Sequence, residues 1–253
     1  MTFVLDQPLV LFVVSLAALW IGSRFGAHLR KLRPHGISLD ETDFNLVLGA
    51  ILTLLGLIIG FTFSMAVSRY DVRKNCEEQE ANAIGTEYVR ADVLGPSEAE
   101  KVRPLLRDYV DQRIAYYTTH DVERLRQTRL RTLELQSRLW AAIIPSAKTQ
   151  RDAVFALVVS GMNDVLNSEG YAEAAWRNRI PAPAWIFVLF TAAFCNILLG
   201  YHAHGKPSAL LSVLPVALAI SFFLIAEIDS PRSGVIRVHA QNLESLADSL
   251  RPQ

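Results

Sequence analysis

Cysteine is close to absent: Cys76 and Cys195 are the two in 253 residues. One falls in a polar stretch and the other inside an apolar run, so no bridge between them is expected, and neither has the neighbours of a metal site. An excess of either charge is missing too, since Lys plus Arg and Asp plus Glu number 25 each. With no basic domain, nucleic acid is not an implied partner. There is no nucleophile–base pair, no phosphate-cradling glycine loop and no metal-ligand spacing, so neither an enzyme nor a bound cofactor is expected. The start of the chain is unlike a signal peptide. Asp6 sits where a basic region belongs, and Arg24 follows the first apolar run without a small-residue cleavage site.

Hydrophobic side chains make up 51% of the residues, and they are segregated into runs almost without charge. Four such runs are long enough to be transmembrane helices: Gln7 to Ser23, Leu46 to Val67, Pro181 to Tyr201 and Ser208 to Ala226. Trp20, Trp185 and Tyr201 suit membrane interfaces, and Pro215 predicts a kink within the fourth span. The expected class is all-α: a polytopic membrane protein with four transmembrane helices and a helical extramembrane bundle between spans 2 and 3. The expected domains are 1–67 (spans 1 and 2), 68–180 (bundle), 181–227 (spans 3 and 4) and 228–253 (a tail with a short helix near Gln241 to Leu250).

The polar middle, 68–180, holds seventeen basic and seventeen acidic side chains and shows no period-two strand pattern. A helix continuing from the second span is expected to break near Gly95-Pro96, and Ser97-Glu98-Ala99-Glu100 reads as a capping box for the next. Pro104 predicts a kink or late start, Pro145 the end of a helix from Asp121 to Ile144, and Gly170 a break after a helix from Thr149 to Asn167. The run Ala153 to Val159 reads as buried. Glu77, Glu78 and Glu80 read as a solvated helix face. Asn196 reads as interhelical hydrogen-bonding glue, His202 and His204 as a chance pair, and Ser38 or Asp40 as a cap before the second span.

The second span, LVLGAILTLLGLIIGFTFSMAV, is twenty-two residues without a charge, about 33 Å as a helix, enough to cross a bilayer core. At 100° per residue, Gly49, Thr53, Gly56, Leu57, Gly60, Phe61 and Ser64 share one side. Phe44, Leu48, Ile51, Leu55, Ile58 and Thr62 share the other. Small residues let helix backbones approach, so Gly49, Gly56 and Gly60 predict a helix-packing face toward protein, with the other face toward lipid. In a symmetric oligomer Thr53, Leu57 and Phe61 would also stack as three rings, and apolar rings can gate a pore by dewetting. Composition leaves packing helix and pore wall both open.

The segment from Gly60 to Tyr70, GFTFSMAVSRY, resembles the end of the pore helix of the bestrophin ion channels, where a Gly-Phe is followed at the same distance by Val-Thr-Arg-Trp-Trp. The order of spans is similar, and Glu227-Ile-Asp-Ser-Pro-Arg-Ser-Gly resembles the acidic stretch after the last bestrophin span. Over nearly its full length the chain resembles a bacterial bestrophin-like membrane family. The shared segments include Glu80 to Thr86, Leu105 to Asp111 and Ser233 to Val238. The resemblance implies a homo-oligomeric ion channel in the lipid bilayer, a pentamer, with the second span around the axis and a hydrophobic neck at Thr53, Leu57 and Phe61. Ser64 and Ser68 would then offer hydroxyls to a passing small ion. Arg69 would be a mouth charge or an intersubunit salt-bridge partner. A bacterial inner-membrane location with 68–180 cytoplasmic is expected, although Arg24, Arg30, Lys31 and Arg33 after the first span favour the reverse orientation. The alternative is a non-conducting membrane scaffold or sensor that binds a partner through the bundle.

Overall fold

The computed structural model describes residues 7–32, 41–149, 152–203 and 210–251. Ser38, Asp40 and His204 lie outside them. The described residues form α-helices and one 3-10 turn, with no strand among them. The order is α1 (Pro8–Lys31), α2 (Glu41–Arg90), the 3-10 turn (Ala91–Val93), α3 (Pro96–Thr118), α4 (Val122–Thr149), α5 (Ala153–Arg177), α6 (Ala182–His202), α7 (Leu210–Asp229) and α8 (Gln241–Leu250). Four stretches are long and apolar enough to cross a membrane, within Pro8–Lys31, Glu41–Val93, Ala153–His202 and Leu211–Asp229. The chain divides into two compact units.

The first unit, 1–70 with 179–237, holds α1, the apolar part of α2, α6 and α7. Leu11, Leu19, Leu55, Ala66, Trp185 and Phe222 meet in its core. Phe12 meets Phe223 edge-on at 6.0 Å. Helix α1 approaches α6 backbone to backbone. A Cβ on Gly26 would strike the Ile197 carbonyl, and one on Gly200 would strike the Ser23 carbonyl. Beside this contact Ser23 Oγ donates to Asn196 Oδ1 at 3.3 Å, the interhelical role expected for Asn196. Arg30 Nη1 donates to the carbonyls of Tyr201 (3.2 Å) and His202 (2.7 Å), placing a cation at the negative end of α6. The His202 ring stacks on Phe44 at 5.0 Å. The first helix therefore runs eight residues past the expected Ser23, because its basic end has partners on α6.

The second unit, 71–178 with 238–253, holds the polar part of α2, the 3-10 turn, α3, α4, α5 and α8. Helix α3 is capped otherwise than by the expected Ser97 box: Gly95 is the N-cap and Pro96 occupies the first turn. A proline there has no N–H to waste and a φ already set for a helix. Pro145 and Gly170 lie within α4 and α5 and do not end them, and α3 starts at Pro96 rather than late at Pro104, which lies inside it. The cost of each is local and is outweighed by the packed faces on either side. Along Ala153 to Val159, Phe155 and Val158 are buried whereas Val154 and Leu157 are exposed, so this run is amphipathic and only half-buried. Asp152 caps α5, accepting from the Phe155 N–H at 2.7 Å.

Candidate functional site

Helix α2 is 50 residues long, opened by Glu41 and Asp43 in its first turn, where the macrodipole favours acids. Its burial separates two faces along the whole length. Leu48, Leu55, Thr62 and Ala66 are buried, and Ile51 and Ile58 are half-buried. This is the side expected to face lipid. It packs instead on the chain's own core, because long branched side chains fill the space between helices of one protomer better than a glycine strip does.

The opposite side is open. Gly49, Thr53, Gly56, Leu57, Gly60, Phe61 and Ser64 are all exposed, Leu57 at 54% and Phe61 at 65%. Among the described residues a Cβ on Gly49, Gly56 or Gly60 would meet nothing within 4 Å, so no described helix of the chain uses these glycines. Thr53 turns its hydroxyl back to the Gly49 carbonyl at 2.9 Å. At 100° per residue the same side passes through Ser68, Asp71, Asn75, Glu78, Asn82 and Thr86, again all exposed. Its ionised members are the acids Asp71 and Glu78. Lys74 lies about 60° off its midline, and half-buried Arg69 lies about 100° round from Ser68.

Buried charges occupy the other side of α2 in the second unit. Glu77 and Glu80 are buried and only Glu78 is exposed, so the three do not form the solvated face expected of them. Glu77 accepts from the backbone N–H groups of Asn242 (2.9 Å) and Leu243 (3.0 Å) and from the Asn242 amide (2.6 Å), which caps α8. Glu80 pairs with Arg113 of α3 and accepts from the Tyr117 hydroxyl at 3.1 Å, while Glu169 of α5 stands 3.8 Å from Arg113. Tyr116, Tyr117 and Trp176 wall this pair with mutual edge-on contacts of 5.5–5.6 Å. Burial pushes the Glu80 carboxyl up while Arg113 opposes it. Burial works against the charge on Arg113, but Glu80 and Tyr109 outweigh it and hold the guanidinium charged. Reasoning from the sequence missed this network, although the pattern was there: Glu77 and Glu80 fall on the same helical side as Leu48 and Leu55.

The acidic stretch after α7 is also occupied internally. Asp229 accepts from the Ile180 N–H at 3.1 Å and from Arg179 at 3.4 Å. Glu227 accepts from the Val235 N–H at 2.6 Å. Gly234, at φ +114°, brings that turn against the Glu227 carboxylate. Among the described residues no group of three or more His, Cys, Asp or Glu could hold a metal ion.

The Bestrophin-like domain model matches residues 9–243. The chain belongs to the bestrophin-like family, and its four apolar helices make it a multi-pass membrane protein. Solved structures agree in fold. A variant of a bacterial bestrophin homologue from Klebsiella pneumoniae is 15% identical with a TM-score of 0.66, covering 94% of this chain and 93% of that one. A second variant is 16% identical with a TM-score of 0.65, covering 96% and 97%. No curated protein sequence matches the chain.

Proposed function

We propose that this protein is a homo-oligomeric ion channel of the bestrophin-like family. In this reading copies of α2, five by resemblance, surround an axis in the bacterial inner membrane, with the second unit cytoplasmic. Thr53, Leu57 and Phe61 form the constriction, Ser64 and Ser68 line the passage beyond it, and Arg69 serves at its mouth or between subunits. The observation that carries the reading is the open side of α2. Exposed Leu57 and Phe61 suit lipid as well, but three glycines on that side with nothing against them among the described residues are small where a lipid face has no need of small side chains. They suit close approach of neighbouring helices around water.

A second reading, a non-conducting scaffold or sensor, is favoured by one feature of α4. Leu130, Leu133 and Trp140 are exposed along one side of this extramembrane helix, at spacings of three and seven. Planar-bilayer recording of purified protein separates the two. The channel reading expects current from the wild type and a larger unitary conductance from Leu57→Ala with Phe61→Ala. If neither conducts, the neck is abandoned and the scaffold reading stands.

A further inference from the structure

Glu87 stands apart from the other buried acids of α2. Its side chain is fully buried, and neither carboxylate oxygen has a hydrogen-bond partner among the described residues. Glu80 and Glu77, about two and three turns earlier on the same side, are both hydrogen-bonded. The nearest cation, Arg90, is 4.0 Å away and donates to the Leu157 carbonyl of α5 at 3.1 Å. Across the seam lies Gly161 of α5, and a Cβ there would collide with both Glu87 and Arg90. The glycine is what allows the carboxyl to be enclosed.

An ionised carboxylate enclosed by protein without a hydrogen-bond donor is a strongly disfavoured species, whereas a neutral carboxylic acid tolerates the same site. We propose that Glu87 is a proton-binding site: its neutral, protonated form closes the seam between α2 and α5, and loss of the proton opens it. The charged groups bearing on it are Arg90 from its own helix and Asp164 from α5. The 3-10 turn against α5 contributes Asp92, which is paired with Arg103. Burial pushes the Glu87 carboxyl up to about 8, Arg90 opposes this and Asp164 adds to it. The proton would thus be exchanged close to neutrality, and the site stands whether or not the protein conducts ions.

Infrared difference spectroscopy of the full-length protein in detergent tests the assignment. Between about pH 6 and about pH 10 the wild type should lose a protonated-carboxyl band with a midpoint near 8, and Glu87→Gln should lack that band. Over the same interval hydrogen exchange within 153–177, corrected for intrinsic rates, should accelerate in the wild type and stay level in Glu87→Gln. No such band, or one titrating near the ordinary carboxylate pKa, overturns the proton site. A band that titrates without a change in exchange overturns the opening of the seam. Should Glu87→Gln fail to fold, Asp164→Asn replaces it. Removing that neighbouring charge must move the band to lower pH, and an unmoved band overturns the assignment to Glu87.

Discussion

Gly26 and Gly200 face each other's helices reciprocally, Gly26 against the Ile197 carbonyl and Gly200 against the Ser23 carbonyl. Each gap is bounded by backbone, which cannot rotate away as a side chain can. Gly200→Ala or Gly26→Ala must therefore part α1 from α6, at a cost of about 2–3 kcal/mol or more, as overpacking in a closed core does. Heating the detergent-solubilised protein and following the monodisperse fraction by size-exclusion should show a clear fall in midpoint for either variant.

Gly56 gives the opposite expectation. Among the described residues nothing lies within 4 Å of a Cβ there, so Gly56→Leu should leave the fold of the protomer intact. If copies of α2 close on one another through this side, the same substitution should lower the oligomer's mass to that of a smaller species, read by light scattering in detergent. An unchanged mass with unchanged stability would mean that the glycine side faces lipid.

The contrast between these glycines marks how far the sequence could be read. Four uncharged runs and a helical polar middle made the all-α membrane class legible, because run length and periodicity are properties of one segment at a time. Which glycine meets which helix is not such a property. Gly26 meets the Ile197 carbonyl 171 positions away, whereas the more conspicuous Gly49, Gly56 and Gly60 meet nothing among the described residues. The same limit reversed the two sides of α2. Small residues signal close packing but do not say whether the neighbour belongs to the same copy. Glu77 and Glu80 were legible in principle, since they continue the side of Leu48 and Leu55. Charge outweighed position in that reading.

Arg113 should be the most sensitive residue of the second unit. It is fully buried, paired with Glu80 and walled by Tyr116, Tyr117 and Trp176. Arg113→Ala strands the Glu80 carboxylate and should cost about 3–5 kcal/mol. Arg113→Lys keeps the charge but loses the fork that reaches Glu80 from two nitrogens, and should fall between the two. Denaturant unfolding followed by tryptophan fluorescence would rank the three proteins, and Arg113→Ala matching the wild type would remove the network from the account of stability.

Protonation gives stability a sign. The Glu87 carboxyl is raised to about 8 by burial, so between its ordinary pKa and that value the folded chain holds a proton that the unfolded chain has released. Stability from this group is therefore full below the ordinary carboxylate range. It declines as pH climbs to about 8 and is flat beyond. Glu87→Gln should flatten that slope in a pH series of unfolding midpoints, and an equal slope in both proteins would deny the shift.

The charge on the open side of α2 predicts which ions pass if the channel reading holds. Past Ser68 this side carries Asp71 and Glu78, with Lys74 on its shoulder. Symmetric copies would repeat the two carboxylates as rings, which raise the local concentration of cations and repel anions. Lys74, about 60° off the midline, faces the flank and offsets them less than its charge alone implies. Under a salt gradient the wild type should reverse toward the cation potential, and Asp71→Asn with Glu78→Gln should move the reversal potential toward zero without abolishing current. Lys74→Gln should move it slightly the other way. Reversal at the anion potential in the wild type would exclude the acidic side as the selective element while leaving the neck at Thr53, Leu57 and Phe61 untouched, because those rings carry no charge and act on wetting alone.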